Sequence, residues 1–227
     1  MKIFMTLGLI LFSITSFART ECTNQLVDLL VVGDSQTGAT WGRSYFGNYL
    51  QKCLAADSDL GSSFAVYGRG GSQPIHWMNN PGMDKIDTIL RTPLSNSLNL
   101  GHDVPVCQKR LKDMISSHRP KKVLVFFGDN VLDLPEKEIA YQFERMTTII
   151  KDQGYASQDC YVMTPTYEMS VATRRNVPYK YIANTLKVIQ AAKTAVGDKC
   201  QFIDGIELMK NSKYLLPKNV LERVEVS

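Results

Sequence analysis

Short continuous apolar runs alternate with longer stretches whose apolar residues recur three and four apart. Segments 28–33 (DLLVVG), 63–67 (SFAVY), 122–127 (KVLVFF), 160–164 (CYVMT) and 201–204 (QFID) have strand length and end at Gly, Asp or Pro. Segments 42–56, 105–117, 136–153 and 178–196 read as helices, the last two stopped by Gly154 and Gly197. In the first of them Phe46, Tyr49, Leu50 and Leu54 fall at helical spacing. Residues 72–104, rich in Pro, Asn and Ser, read as a long surface loop with a short helix over 83–90. Strand and helix alternating in this way predict βαβ units and a parallel sheet. Right-handed crossovers then place helices on both of its faces. Ligands of such sheets bind beyond the carboxyl ends of the strands.

Composition places the chain in a class without choosing its chemistry. A length of 227 residues suits one domain behind a leader, and 44% apolar content suffices for a core. The net charge of +4 is scattered and no element concentrates it. That excludes a nucleic-acid footprint. Lys2 followed by the apolar run 3–12 and then Ser16-Phe17-Ala18 predicts a signal peptide over residues 1–18. The apolar run is too short for a comfortable bilayer span. A mature domain over 19–227, secreted or periplasmic and not stably inserted in a membrane, is therefore expected. The five cysteines (Cys22, Cys53, Cys107, Cys160, Cys200) show no Cys-x-x-Cys spacing. Disulfides are expected, and neither a metal site nor a cofactor is.

Three polar turns follow three of the predicted strands: Gly33-Asp34-Ser35, then Gly68 through Ser72, then Gly128-Asp129-Asn130. A serine between a buried strand and a helix is placed for nucleophilic attack, with backbone N–H groups nearby for a developing oxyanion. The same residue type also serves as a plain helix cap. Gly70 and Gly71 let the backbone approach a ligand, or simply make a tight turn. Asn130 offers a neutral NH₂ donor, or else a turn residue tolerant of left-handed backbone.

Taken together, these blocks resemble the SGNH (GDSL-like) hydrolases. Val31-Val32-Gly33-Asp34-Ser35-Gln36-Thr37 is similar to the family's first block, and Tyr45-Phe46-Gly47 to the helix that follows it. Gly70-Gly71-Ser72 resembles the second block, and Gly128-Asp129-Asn130 the third, Gly-x-Asn. The resemblance spans roughly residues 29–204. It implies a flavodoxin-like three-layer α/β/α sandwich with a five-stranded parallel sheet in the order 2-1-3-4-5. It further implies an ester hydrolase in which Ser35 attacks the carbonyl. The Ser35 and Gly71 N–H groups (Gly70 being the near alternative) and the Asn130 amide would hold the oxyanion.

The family's fourth block, Asp-x-x-His, has no counterpart. The three histidines are His76, His102 and His118, and the nearest match is Asp204-Gly205-Ile206-Glu207. The chain thus resembles a member that stops before its catalytic loop and last helix. Without a base, a serine hydroxyl is a poor nucleophile. Glu207, His76 and His102 are the substitutes considered, with His76 preferred to His102. His118, before Arg119-Pro120, reads as a helix C-terminal cap.

Trp77 beside Asn79 and Asn80 suggests a carbohydrate face on the long loop, or packing of that loop. Two main functions follow. One is an exported esterase acting on acyl or acetyl esters of a small molecule, carbohydrate or lipid. The other is an impaired relative that binds a glycan or acyl ligand, or a truncated remnant. A flavin or nucleotide protein is disfavoured, because the first turn carries an acidic residue and no phosphate-binding lysine.

Overall fold

The computed structural model describes residues 26–34, 37, 63–79, 86–91, 99–104, 110–164 and 179–211. The expected signal peptide, the helix over 42–56, the chain beyond 211 and Cys22, Cys53 and Cys107 lie outside them. Five parallel strands form the centre: β1 (Leu29–Gly33), β2 (Phe64–Gly68), β5 (Lys122–Phe126), β6 (Cys160–Met163) and β7 (Gln201–Ile203). They lie in the order β2-β1-β5-β6-β7. Numbered among themselves, that is 2-1-3-4-5, as expected.

Strands β1 and β2 read as unbroken apolar runs because both of their faces are buried. Leu30, Val32, Ala65, Tyr67, Val123 and Val125 enter one core cluster, and Leu29, Val31, Phe64 and Val66 enter another. Two covered faces make the three-layer α/β/α arrangement. On the first face lie α1 (Pro74–Asn79), α2 (Leu111–His118), α3 (Glu136–Asp152) and α4 (Tyr179–Val196). Helix α3 turns Ile139, Phe143, Met146 and Ile150 inward, one stripe at helical spacing, beside Val188, Ala192 and Val196 of α4.

The region 72–104 departs from the expected loop. It holds a hairpin, β3 (Ile86–Arg91) and β4 (Asn99–Val104), antiparallel to β2 and to each other. Among the described residues the sheet is therefore seven-stranded, β4-β3-β2-β1-β5-β6-β7. No helix occupies 86–90; Ile, Thr and Leu there pair with β2. Strand β4 reads NLGHDV, with Asn, Gly and Asp all disfavoured in strands. Its pairing to β3, and not propensity, defines it.

Two further corrections concern charged residues. His118 is not the cap of α2. The cap is Arg119, left-handed at φ 44°, whose N–H bonds Ile115 O at 2.8 Å. The His118 ring is buried instead, with Nε2 2.5 Å from the Tyr67 hydroxyl. The second concerns Asp204-Gly205-Ile206-Glu207, the nearest match to the fourth block: after β7 it opens a helix, α5 (Gly205–Asn211). Asp204 Oδ1 accepts the Ile206 and Glu207 N–H groups at 2.8 and 3.1 Å. Asp-Gly-x-Glu is thus a helix start of the Asp-x-x-Glu capping type.

Two fastenings secure the sheet. At the amino ends of the strands, the Asp28 carboxylate accepts from Ser63 N–H (3.2 Å) and Ser63 Oγ (2.8 Å), and it pairs with Lys121 at 2.7 Å. The Cys160–Cys200 disulfide, Cα–Cα 4.8 Å, joins the start of β6 to the residue before β7.

Candidate active site

Strand order reverses beside β1, because the chain leaves β1 for β2 on one side and returns to β5 on the other. A crevice opens at such a switch point, beyond the carboxyl ends of the strands. The three glycine turns meet there, and hydrogen bonds join them pairwise.

The first turn leaves β1 at Gly33. A Cβ on Gly33 would stand 1.9 Å from Thr37 Oγ1 and 2.4 Å from Phe126 O, so only glycine lets β1 end against β5. Asp34 is buried, and its Oδ2 accepts the Gly128 N–H of the third turn at 3.3 Å. Thr37 N–H donates to Asp34 O at 3.1 Å, which bonds together the positions flanking Ser35. Ser35 and Gln36 themselves lie outside the described residues.

The second turn runs from Arg69 to Ser72, closed by Ser72 N–H on Arg69 O at 3.2 Å. Gly71 takes φ +70°, the left-handed value a type II turn requires at its third position. Arg69 N–H bonds Gly33 O at 3.3 Å, tying this turn to the first. Ser72 Oγ is buried within reach of Arg69 O (2.9 Å) and Gly33 O (3.3 Å), and it accepts from Trp77 Nε1 at 3.1 Å. Trp77 is fully buried, edge-on to Phe127 at 6.4 Å. The sequence-based suggestion of a carbohydrate face at Trp77 is thereby overturned; the ring is core.

The third turn follows β5 as a single 3₁₀ turn, Asp129–Val131. Lys187 of α4 braces it by donating to Leu132 O and Leu134 O at 2.8 and 2.9 Å. Gln73 Nε2 donates to Asn130 O at 2.8 Å, joining the second turn to the third. Asn130 Nδ2 is buried and has no hydrogen-bond partner among the described residues, and neither has Thr37 Oγ1. Native proteins leave few such atoms, so each calls for an explanation.

The substitute bases fare differently. His76 sits in α1, close to this edge. Its Nδ1 accepts the Gln73 N–H at 3.1 Å, which assigns the proton of the neutral ring to Nε2. Burial, helped by the Arg69 charge, holds its pKa below the ordinary histidine value. The ring is therefore neutral but presents a donor where a base needs a lone pair. Glu207 is exposed in the first turn of α5. His102 lies on β4, three strands from β1, about 14 Å at the usual strand spacing. Among the described residues, no three His, Cys, Asp or Glu side chains cluster as metal ligands would. An open cleft of about 620 Å³, lined by Ile115, Arg119, Lys121 and Tyr155, lies at the opposite, amino-terminal edge of the sheet. It is remote from all three turns, and the convergence of the turns, not the size of a cleft, locates the site.

Gly33, Gly71 and Asn130 were legible in the sequence as residues after strands. Ser72 was legible as the end of the Gly70-Gly71-Ser72 block, but not as a tie to Gly33. Gln73 and Gln142, which brace the second turn, were not legible.

No protein-family model matches the chain, and no curated protein matches its sequence. Among solved structures, the chain is similar to the crystal structure of the lipase/acylhydrolase from Enterococcus faecalis. The two are 19% identical over 82% of this chain and 80% of that one, with a TM-score of 0.46.

Proposed function

We propose that the chain is an exported ester hydrolase of the SGNH type. In this reading Ser35 is the nucleophile, and the Ser35 and Gly71 N–H groups with the Asn130 amide form the oxyanion pocket. The observation that carries it is the Asn130 side-chain nitrogen, buried at the switch point of a parallel sheet and without a hydrogen-bond partner among the described residues. Leaving a buried donor unpaired costs about 1–3 kcal/mol. Such a cost is repaid where the missing acceptor is charge that develops only during reaction.

Ser35 Oγ would bond to the ester carbonyl carbon while the carbonyl electrons move onto oxygen. Collapse of that intermediate expels the alcohol, which leaves with a proton, and water then releases the acid from Ser35. The serine proton needs an acceptor. The His76 tautomer and the exposure of Glu207 support neither as that group. This favours a second reading, a cleft that binds an acyl-bearing ligand without turning it over.

The leader-like segment 1–18 and the Cys160–Cys200 bond both support export, since disulfides persist in oxidising compartments. Acyl or acetyl esters of small molecules, carbohydrates or lipids fit the reading. The core position of Trp77 removes the residue-level argument for a sugar.

Hydrolysis of p-nitrophenyl acetate by the purified protein, beside Ser35→Ala, tests the proposal. Turnover is expected to disappear in the variant. Equal background rates from two well-folded proteins would overturn hydrolysis and leave the binding reading.

A further inference from the structure

Gln142 interrupts the inward stripe of α3 with an amide. It is 1% exposed, in a stripe otherwise made of Ile139, Phe143, Met146, Thr147 and Ile150. An amide is costly to bury unless its hydrogen-bonding capacity is used, and here it is. Its Oε1 accepts the Ile75 N–H at 3.3 Å, and its Nε2 donates to Glu138 Oε1 at 3.0 Å and to Gln73 Oε1 at 3.4 Å. The far end of Gln73 reaches Asn130 O at 2.8 Å. A hydrogen-bonded chain therefore runs from Glu138 on α3 through Gln142 and Gln73 to the backbone of Asn130, whose side-chain nitrogen has no partner among the described residues.

Gln73 also stands two residues after Gly71. A movement of Gln73 displaces the Gly71 N–H and the Asn130 amide relative to each other, and oxyanion donors tolerate only about 0.5 Å of error. We propose that Gln73, clamped by Gln142, is a positioning residue that sets the separation of these two donors. The proposal rests on the hydrolase reading above. Neither glutamine is assigned contact with substrate.

The test uses the full chain with Gln73→Ala, Gln73→Glu and Gln142→Leu. Steady-state hydrolysis of p-nitrophenyl acetate is measured beside the rate at which a fluorophosphonate labels Ser35. Gln73→Glu keeps the shape but sets an acceptor against the Asn130 carbonyl, so it should behave like Gln73→Ala. The expected result is a kcat and a labelling rate lowered roughly tenfold to hundredfold, as for a misplacement near 1 Å. KM should change less than about twofold. Loss of folded protein would also lower kcat at unchanged KM. The first-order labelling rate constant does not depend on how much protein is folded, so it separates the two. Folded Gln73 variants with wild-type kcat and labelling rate would overturn the proposal. If Gln142→Leu does not fold, the Gln73 variants decide, because that side chain is only half-buried. A wild-type protein that neither hydrolyses the ester nor is labelled overturns the hydrolase reading and this proposal with it. That failure is distinguishable because it shows before any glutamine is changed.

Discussion

The Asp34 carboxylate accepts the Gly128 N–H at 3.3 Å, across 94 residues of sequence and across the switch point of the sheet. It ties the turn that carries Ser35 to the turn that carries Asn130. Asp34→Ala should therefore loosen the site as well as the fold. Stripping this acceptor from a buried N–H costs about 1–3 kcal/mol. Urea unfolding should show that loss, with Asp34→Asn, which keeps one acceptor oxygen, closer to the parent.

The two site glycines should fail differently on substitution. Gly71→Ala meets open space and suffers only from its left-handed backbone, about 1–2 kcal/mol. Gly33→Ala drives a methyl into Thr37 and into the backbone of Phe126. Backbone on the neighbouring strand cannot swing aside, so Gly33→Ala should be the more damaging. Thermal melts of the pair, run side by side, check the order.

Ser72→Ala leaves the indole N–H of a fully buried Trp77 without its acceptor. A loss of about 1–3 kcal/mol is expected. Only one other tryptophan, Trp41, is present, so a shift in tryptophan emission on comparing Ser72→Ala with Ser72→Thr would report the site directly.

Opening the Cys160–Cys200 bond frees a loop with sequence separation 40. The chain-entropy relation puts the cost at about 4 kcal/mol. The Cys160→Ser, Cys200→Ser double variant should lose about that much in denaturant midpoint energy. Reductant should then have less effect on it than on the parent.

Acid stability should depend on Asp28. Its hydrogen bond from Lys121, followed by those from Ser63, outweighs desolvation and holds its pKa below the ordinary carboxylate value. A carboxylate with a depressed folded pKa stabilises the native state fully above its unfolded pKa. That contribution is lost as pH falls through the lower folded value. Asp28→Asn should flatten the stability–pH curve below about pH 4.

The five parallel strands and the long helices α3 and α4 lie within one residue of their sequence-based bounds. Strands such as LLVVG and FAVYG are buried on both faces, so hydrophobicity alone marks them. The hairpin was hidden for the opposite reason. NLGHDV has a weak strand signal, and it becomes a strand only when β3 presents an edge to it. Likewise, Asp204-Gly205-Ile206-Glu207 invited comparison with a catalytic block, but in three dimensions the aspartate is spent on capping α5.

At the site, the chain by itself determined where the glycine turns fall. A turn after a buried strand is a local event, governed by backbone freedom and the end of an apolar run. Tertiary structure alone decided which atoms bind the turns together: Ser72 to Gly33, Asp34 to Gly128, Gln73 to Asn130, separated by 39, 94 and 57 residues. It also decided that His76 presents a donor and that Trp77 is core. A side chain's partner, tautomer and exposure depend on what the fold brings beside it, and linear order does not carry that information.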